Sequence, residues 1–198
     1  PDFNGIEQEG YRSAQVMMKN GERFGTGKAY IHPYLGVRKN LTLLTETECT
    51  RILFEGKKAV GVEVVRNGVK RQIRARKEVI LSGGGILSAK LLQLSGVGEA
   101  SELRRVGIPL VHELPGVGTN LSDHVDCIMG YHIPGDPNLL GISPTGAAAF
   151  VKAVRRWRKQ RRGMLTTPGA EITGFLKLTP ESAKPEIQFY FVIVLAFD

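Results

Sequence analysis

The chain has 198 residues, of which 42% are hydrophobic, and it carries a formal net charge of +8. That hydrophobic share is enough for a packed core and excludes a disordered protein. No apolar run reaches the ~18–20 residues that a membrane-spanning helix needs. The two cysteines, Cys49 and Cys127, match no metal-binding spacing, and free thiols in a reducing compartment are favoured over a disulfide.

The two ends of the sequence predict an internal piece of a longer protein. Residue 1 is a proline rather than a methionine, and residues 187–198 form an apolar, strand-like run with no closing element after it. Because the true amino terminus is then missing, the lack of a signal peptide carries no information.

The pattern between residues 41 and 82 is rich in predicted strands. Asn67-Gly68 lies between two extended runs, which is the strongest short-range signal for a hairpin. Alternating and apolar runs predict an antiparallel meander that leads into an apolar strand. The predicted strands are Leu41–Glu46, Arg51–Glu55, Ala59–Arg66, Val69–Arg74 and Glu78–Ser82.

Two helices are predicted next, at Ser88–Ser95 and Glu99–Val106, with Gly107 as the C-terminal cap of the second. A short strand, Leu110–Glu113, follows them.

The pattern changes near residue 125, where we expect a domain boundary. Ser143 and Pro144 predict the start of a helix, since serine is a preferred N-cap and proline a preferred first residue. The elements predicted after the boundary are a strand at Cys127–Ile133, a loop at Gly135–Asn138, a helix at Pro144–Arg162, and strands at Ala170–Leu178 and Glu186–Leu195.

Small residues follow the apolar strand Val79-Ile80-Leu81, in the order Ser82, Gly83, Gly84 and Gly85. Without a Cβ in the way, a ligand or another backbone can approach a strand end closely. In doubly wound α/β folds, ligands collect outside the carboxyl ends of the strands. A tight strand-to-helix turn without a ligand is the alternative.

The order of motifs from Gly84 onward resembles the second signature region of the glucose–methanol–choline (GMC) family of FAD-dependent alcohol oxidoreductases. The segment Gly84–Gly98 contains Ser88, Leu91-Leu92 and Ser95-Gly96-Val97-Gly98, and Pro115–His124 follows it. Gly85 replaces the usual Ala or Ser, and Ala89 the usual Pro. The resemblance covers the whole chain and is closest to the bacterial choline and alcohol dehydrogenases.

The resemblance implies a mixed α/β fold with two parts. Residues 1–124 would belong to a Rossmann-like FAD-binding domain with a β-meander, with residues 1–40 crossing from the substrate side. Residues 125–198 would belong to a truncated, antiparallel-sheet substrate domain. The function implied is hydride transfer from a primary alcohol, choline-like or aliphatic, to FAD, with a quinone or oxygen as the electron acceptor.

The catalytic base of the family is a histidine expected beyond residue 198, so no catalytic residue is predicted in this chain. No Gly-x-Gly-x-x-Gly occurs in the sequence. In the family this fingerprint holds the pyrophosphate of FAD. We therefore expect the chain alone to hold FAD poorly and to show no alcohol oxidation.

Cofactor contacts are predicted, from the resemblance, in three places. Cys49 matches a position whose backbone contacts the adenine side of FAD, although a buried thiol acting as a small hydrophobe is the alternative. Ser82, Gly83 and Gly84 form the strand end. Asn120 and Asp123 belong to the segment over the flavin.

His124 follows Asp123, and a carboxylate beside an imidazole can orient the ring. Adjacent residues of an extended chain point to opposite faces, however, so the two side chains need not touch.

Glu171 is the predicted substrate-binding residue. It matches a glutamate that faces the quaternary ammonium group in choline-oxidising members of the family. A structural glutamate near a domain interface is the alternative.

Residues 147–162 form a basic stretch with one apolar stripe, made of Phe150, Val154 and Trp157. A solvated face, contact with an anionic membrane surface and a nucleic-acid contact are the alternatives; we expect no nucleic-acid partner. A non-catalytic module that uses this helix at an anionic surface is the competing function. The expected location is the cytoplasm, with the inner membrane surface as an alternative site of association.

Overall fold

The computed structural model describes residues 5–131 and 144–192. Within these ranges, residues 5–41, 128–131 and 144–192 form one compact unit, and residues 42–127 form the other. We call them the split unit and the central unit. The strands and α-helices in chain order are β1 (Gly10–Ser13), β2 (Met18–Lys19), β3 (Glu22–Arg23), β4 (Glu48–Glu55), β5 (Lys58–Arg66), β6 (Val69–Arg74), α1 (Gly84–Leu94), β7 (Val97–Gly98), α2 (Ala100–Arg105), β8 (His112–Glu113), α3 (Pro144–Gln160), β9 (Ala170–Leu176) and β10 (Ile187–Val192).

The central unit contains the predicted meander. Strands β4, β5 and β6 form an antiparallel sheet in that order, with Arg66 paired to Val69 across the turn. Asn67 and Gly68 adopt φ values of 51° and 75°, the left-handed conformation that a two-residue hairpin turn requires. The hairpin prediction is therefore confirmed.

The helix α1 packs on β4 through the buried hydroxyl of Ser95. Strand β4 is an edge strand, so its outward N–H groups have no strand partner. The N–H of Ile52 donates to Ser95 Oγ at 2.8 Å, and Ser95 Oγ donates to the carbonyl of Leu91 at 2.6 Å. Ile52, Val64, Val97 and Leu103 are the buried apolar side chains of this unit.

The end of α2 is a Schellman motif, as its C-terminal glycine predicts. The N–H of Gly107 donates to the carbonyl of Arg104, and that of Ile108 donates to the carbonyl of Leu103. Gly107 has φ 72°, which glycine adopts without steric cost. The following residues return to β8, which pairs in parallel with β7. Sequence patterns did not predict this parallel pair, and β8 is shorter than the predicted strand Leu110–Glu113.

Two predicted strands are wrong, and a third does not form in its described residues. No strand forms at Leu41–Glu46, at Glu78–Ser82 or in residues 127–131, and residues 132 and 133 lie outside the described residues. Glu46 has φ 53°, and Ile80 is 77% exposed. An apolar run becomes a strand only when neighbouring strands take up its backbone hydrogen bonds, and no described strand lies beside these runs.

Other boundaries differ by a few residues. The helix α1 begins at Gly84 rather than Ser88, and β4 begins at Glu48 rather than Arg51. The helix α3 ends at Gln160, and β9 ends at Leu176. The predicted N-cap Ser143, the loop 135–138 and the end of the last predicted strand lie outside the described residues.

The split unit contains a three-stranded antiparallel sheet and a small hairpin. The sheet has the order β1-β9-β10. Gly174 in β9 lies opposite Tyr11, and a Cβ at Gly174 would collide with the Tyr11 ring. This close approach requires glycine at the centre of the sheet.

The hairpin β2–β3 packs on the carboxyl end of α3. Asn20 and Gly21 form its turn, and Trp157 Nε1 donates to the carbonyl of Gly21 at 2.7 Å. Glu22 accepts from Lys28 Nζ and from Arg161 Nη1, each at 2.6 Å. Trp157, one of the three residues of the predicted apolar stripe, therefore packs against the hairpin of its own unit.

We expect Ser95→Ala to lower the free energy of unfolding of the chain by about 1–3 kcal/mol, because it leaves the buried N–H of Ile52 without an acceptor. Urea denaturation measures the change. Ser101→Ala is the matched control, since the Ser101 hydroxyl bonds only to the exposed Glu99 carboxylate. Its effect should stay within about 0.5 kcal/mol. Equal effects of the two variants would contradict the structural role of Ser95.

We expect the contribution of Glu22 to stability to disappear in acid. The hydrogen bond from Lys28, helped by the charges of Lys28 and Arg161, lowers the pKa of Glu22 below its usual 4.5. A lowered folded-state pKa stabilises the fold above pH 4.5, and that stabilisation is lost as the pH falls through the lowered pKa. The melting temperatures of wild type and Glu22→Gln should therefore differ at pH 7 and converge towards pH 3.

The exposed Glu181 supplies the control for this titration. Glu181→Gln removes the same charge without breaking an ion pair, so its melting temperature should follow that of wild type at every pH. A wild-type advantage over Glu22→Gln that persists unchanged at pH 3 would count against the ion pairs as its source.

Candidate functional site

The glycines after residue 82 form the first turn of α1. Gly83 is its N-cap residue, and its N–H donates to Ser88 Oγ at 3.1 Å. Gly84 has φ 83°, in the left-handed region that disfavours other residues. A Cβ built on Gly84 or Gly85 meets no atom within 4 Å. The helix therefore begins beside open space, with its first N–H groups lacking intrahelical partners.

A cavity of about 460 Å³ lies along this part of α1. One wall is the helix, at Gly85, Ile86 and Ala89, and the other is the turn at residues 116–119. Both walls belong to the central unit, so the cavity is formed within it.

Gln93 fixes the turn against the helix. Its Nε2 donates to the carbonyl of Val117 at 3.1 Å. Gly118 has φ 80°, and a Cβ there would lie 2.6 Å from the same Nε2. Gln93 was not among the predicted site residues, although a polar residue between Leu92 and Leu94 on a packed helix is a usable signal.

None of the predicted strand-end residues Ser82, Gly83 and Gly84 lines this cavity. Gly85, which follows them, does, and Ser82 is exposed. Asn120 and Asp123 are not among its lining residues, although Leu121 is. Asn120 has φ 56° and donates through Nδ2 to Thr119 Oγ1 at 3.2 Å.

Asp123 does not orient the imidazole of His124 here. Its Oδ1 accepts from the backbone N–H of His124 at 2.8 Å, in an exposed position. The carboxylate therefore serves the local chain conformation, which agrees with the expectation that adjacent side chains need not touch.

Cys49 is half-buried in β4, opposite Val64. Burial raises the pKa of the Cys49 thiol, which keeps it protonated at neutral pH. This environment suits a small hydrophobic side chain. Cys127 is also a free thiol and is exposed.

Glu171 lies on β9 in the split unit, with its side chain exposed. Its backbone carbonyl accepts from the N–H of Ala14 at 2.8 Å. The pairing of β9 with β10 is irregular at Glu171, since Ile172 pairs with Phe191 and Ala170 pairs with Val192. Tyr190 of β10 pairs with Thr173, two residues along β9 from Glu171, and is 57% exposed.

Two types of site are not found in the described ranges. Residues 5–131 and 144–192 contain no group of three or more His, Cys, Asp or Glu side chains that could hold a metal ion. None of the helices in these ranges has the length and apolar character to cross a bilayer.

Comparisons with known proteins point to one family. The model of the GMC oxidoreductases matches residues 1–126. An alcohol dehydrogenase (acceptor) of Pseudomonas putida is 39% identical over 197 residues, which cover 96% of this chain and 35% of that protein. The mitochondrial choline dehydrogenase of Homo sapiens is 40% identical over 191 residues, covering 96% and 32%.

A solved structure gives the same result. A formate oxidase variant of Aspergillus oryzae, studied for its FAD modification, has a TM-score of 0.75 and 25% identity, covering 94% of this chain and 36% of the other. The chain spans about a third of the length of the curated relatives that it matches.

Proposed function

The chain belongs to the GMC oxidoreductases, and from this we propose that the whole protein oxidises a primary alcohol by hydride transfer to FAD. FAD is the cofactor of the family. Its chemistry when bound is to accept the hydride from the alcohol carbon. The observation that carries the proposal is the open, glycine-lined start of α1 beside the cavity of the central unit.

The residues at this cavity fit such a cofactor. The absence of side chains at Gly84 and Gly85 leaves room for a flat or phosphorylated group against the backbone. The free N–H groups of the first helical turn and the positive end of the α1 dipole favour a negative charge there. Gln93 holds the opposite wall in place through Val117.

The exposed carboxylate of Glu171 on β9 supports a cationic alcohol as the substrate. The exposed ring of Tyr190 lies on the neighbouring strand β10, where Tyr190 pairs with Thr173. A carboxylate and an aromatic ring together suit a quaternary ammonium group, through charge and cation–π attraction. We therefore infer a choline-like alcohol, with an aliphatic alcohol as the alternative, and a quinone or oxygen as the acceptor.

We expect Gly84→Val to remove FAD from the whole protein, because the side chain would fill the space at the start of α1 and block close approach. The ratio of flavin to protein after gel filtration measures this. Gly107→Val is the matched control: it places valine at a similar φ of 72°, also in open space, at the end of α2. It should cost stability but keep flavin. If both variants kept or lost flavin together, the cavity would not be the cofactor site.

We expect Glu171→Gln in the whole protein to raise the KM for choline-like alcohols about tenfold or more, because the neutral amide no longer attracts the positive charge of the quaternary ammonium group. A tenfold change corresponds to about 1.4 kcal/mol of lost attraction. Neutral primary alcohols should be affected less than twofold. Steady-state kinetics on both substrates measure the difference. Equal losses for cationic and neutral alcohols at unchanged flavin content would show that Glu171 is structural.

A further inference from the structure

A second cavity, of about 740 Å³, lies in the split unit between the hairpin β2–β3 and the carboxyl end of α3. Its walls come from the hairpin, from the segment that follows the hairpin and from residues 160–162. The lining residues are Lys19, Asn20, Glu22, Phe24, Lys28, Gln160, Arg161 and Arg162.

The cavity has a strong excess of positive charge. Four of its lining side chains are cationic and only Glu22 is anionic, which leaves an excess of three charges. Glu22 already accepts from both Lys28 and Arg161. A second carboxylate does not line the cavity, so the charges of Lys19 and Arg162 are not neutralised from its walls.

Three of the cations are held in position by contacts that leave donors free. Glu22 fixes Lys28 and Arg161, and the Arg161 guanidinium also stacks 4.4 Å from the centre of the Trp157 ring. Lys19 Nζ lies 5.2 Å from the centre of the Phe24 ring. An arginine has five N–H donors and a lysine three, so one carboxylate or one ring does not exhaust them.

The backbone conformation of Arg161 also helps to hold its side chain at the cavity. Arg161 follows the last residue of α3 with φ 55°, a conformation that glycine or asparagine usually supplies after a helix. Its N–H closes the helix on the carbonyl of Trp157 at 2.8 Å. The hairpin fits against this residue so closely that a Cβ on Gly21 would collide with the Arg161 carbonyl. The cavity wall is therefore formed by fitted contacts rather than by loosely placed side chains.

From this geometry we infer that the cavity binds an anion with two or more negative charges, of the phosphate monoester or diphosphate type. Guanidinium groups bind phosphate oxygens through paired, charge-assisted hydrogen bonds, and lysines add point charges. Because the cations are already positioned, less conformational entropy is lost on binding. The same chemistry occurs in a soluble phosphate compound and in a lipid headgroup.

Calorimetric titration of the 198-residue chain with inorganic pyrophosphate tests this at low ionic strength. We expect saturable binding at one site. Arg162→Gln and Lys19→Gln should each weaken binding about threefold, and the double variant about tenfold, as expected for exposed charge contacts. Arg162 lacks a carboxylate partner in the cavity, so the melting temperature of Arg162→Gln should be unchanged. Lys19→Gln should lower it slightly, because that variant loses the contact with the Phe24 ring.

Arg155→Gln is the matched control. It removes one charge from α3 but none from the cavity, and binding should change less than twofold. Absence of saturable binding, or an equal loss in Arg155→Gln, would overturn the inference, since the attraction would then be a general effect of net charge.

Vesicles distinguish the two sources of the ligand. If a lipid headgroup is the ligand, vesicles with phosphatidic acid, unlike those of pure phosphatidylcholine, will bind the chain in a manner that requires Arg162 and that pyrophosphate inhibits. If a soluble phosphate compound is the ligand, pyrophosphate will bind and vesicle binding will not depend on Arg162.

Discussion

The hydroxyl of Ser95 joins the two halves of the central unit. It accepts from the edge strand β4 and donates back into α1, so one buried group satisfies a strand N–H and a helix carbonyl. This contact attaches the carboxyl end of α1 to β4, and it therefore also determines where the glycine-rich amino end of α1 lies. Gln93, in the last turn of α1, holds the second wall of the cavity through its hydrogen bond to Val117. The geometry of the candidate site thus depends on polar contacts at the opposite end of the helix.

The parts of the fold that could be predicted are those determined by local backbone chemistry. Asn67-Gly68 specifies a hairpin because both residues accept a positive φ, and Gly107 ends α2 for the same reason. Asn20-Gly21 carries the same signal and forms the hairpin β2–β3, although its strands are only two residues long. Each of these turns and helix ends is determined by residues that are only a few positions apart in the sequence.

The apolar runs failed as predictors because their structure depends on distant partners. Val79-Ile80-Leu81 is as apolar as the centre of a buried parallel strand, yet a strand of this kind needs hydrogen-bonded neighbours on both edges. The described strands pair elsewhere, and Ile80 is left exposed. The parallel pair β7–β8 shows the converse: Gly96 allows it, since a Cβ there would collide with the carbonyl of Pro109. That contact crosses α2 and was not readable from a local pattern.

The open space beside Gly84 and Gly85 could be predicted from the sequence, whereas the residues that support the cavity could not. A run of small residues at a strand end indicates space, and space is what the structure has at Gly84 and Gly85. The segment with Asn120 and Asp123 was placed by resemblance, but its contacts are local, and the neighbouring turn is the part that reaches the cavity.

In the split unit, tertiary packing also determines which residues of the basic helix α3 are exposed. The basic stretch at the end of α3 has the composition of a surface-binding helix, and Phe150 is indeed half exposed. Trp157, however, is hydrogen-bonded to the hairpin and stacked under Arg161. An apolar stripe that is partly buried this way cannot insert along its whole length into a lipid surface.

The positive charges of the split unit are concentrated at the hairpin β2–β3. There the fold brings Lys19 and Lys28 beside Arg161 and Arg162, which lie more than 130 residues later in the sequence. Composition alone could reveal the surplus of charge, but only the packing of Gly21 against α3 determines where it is concentrated.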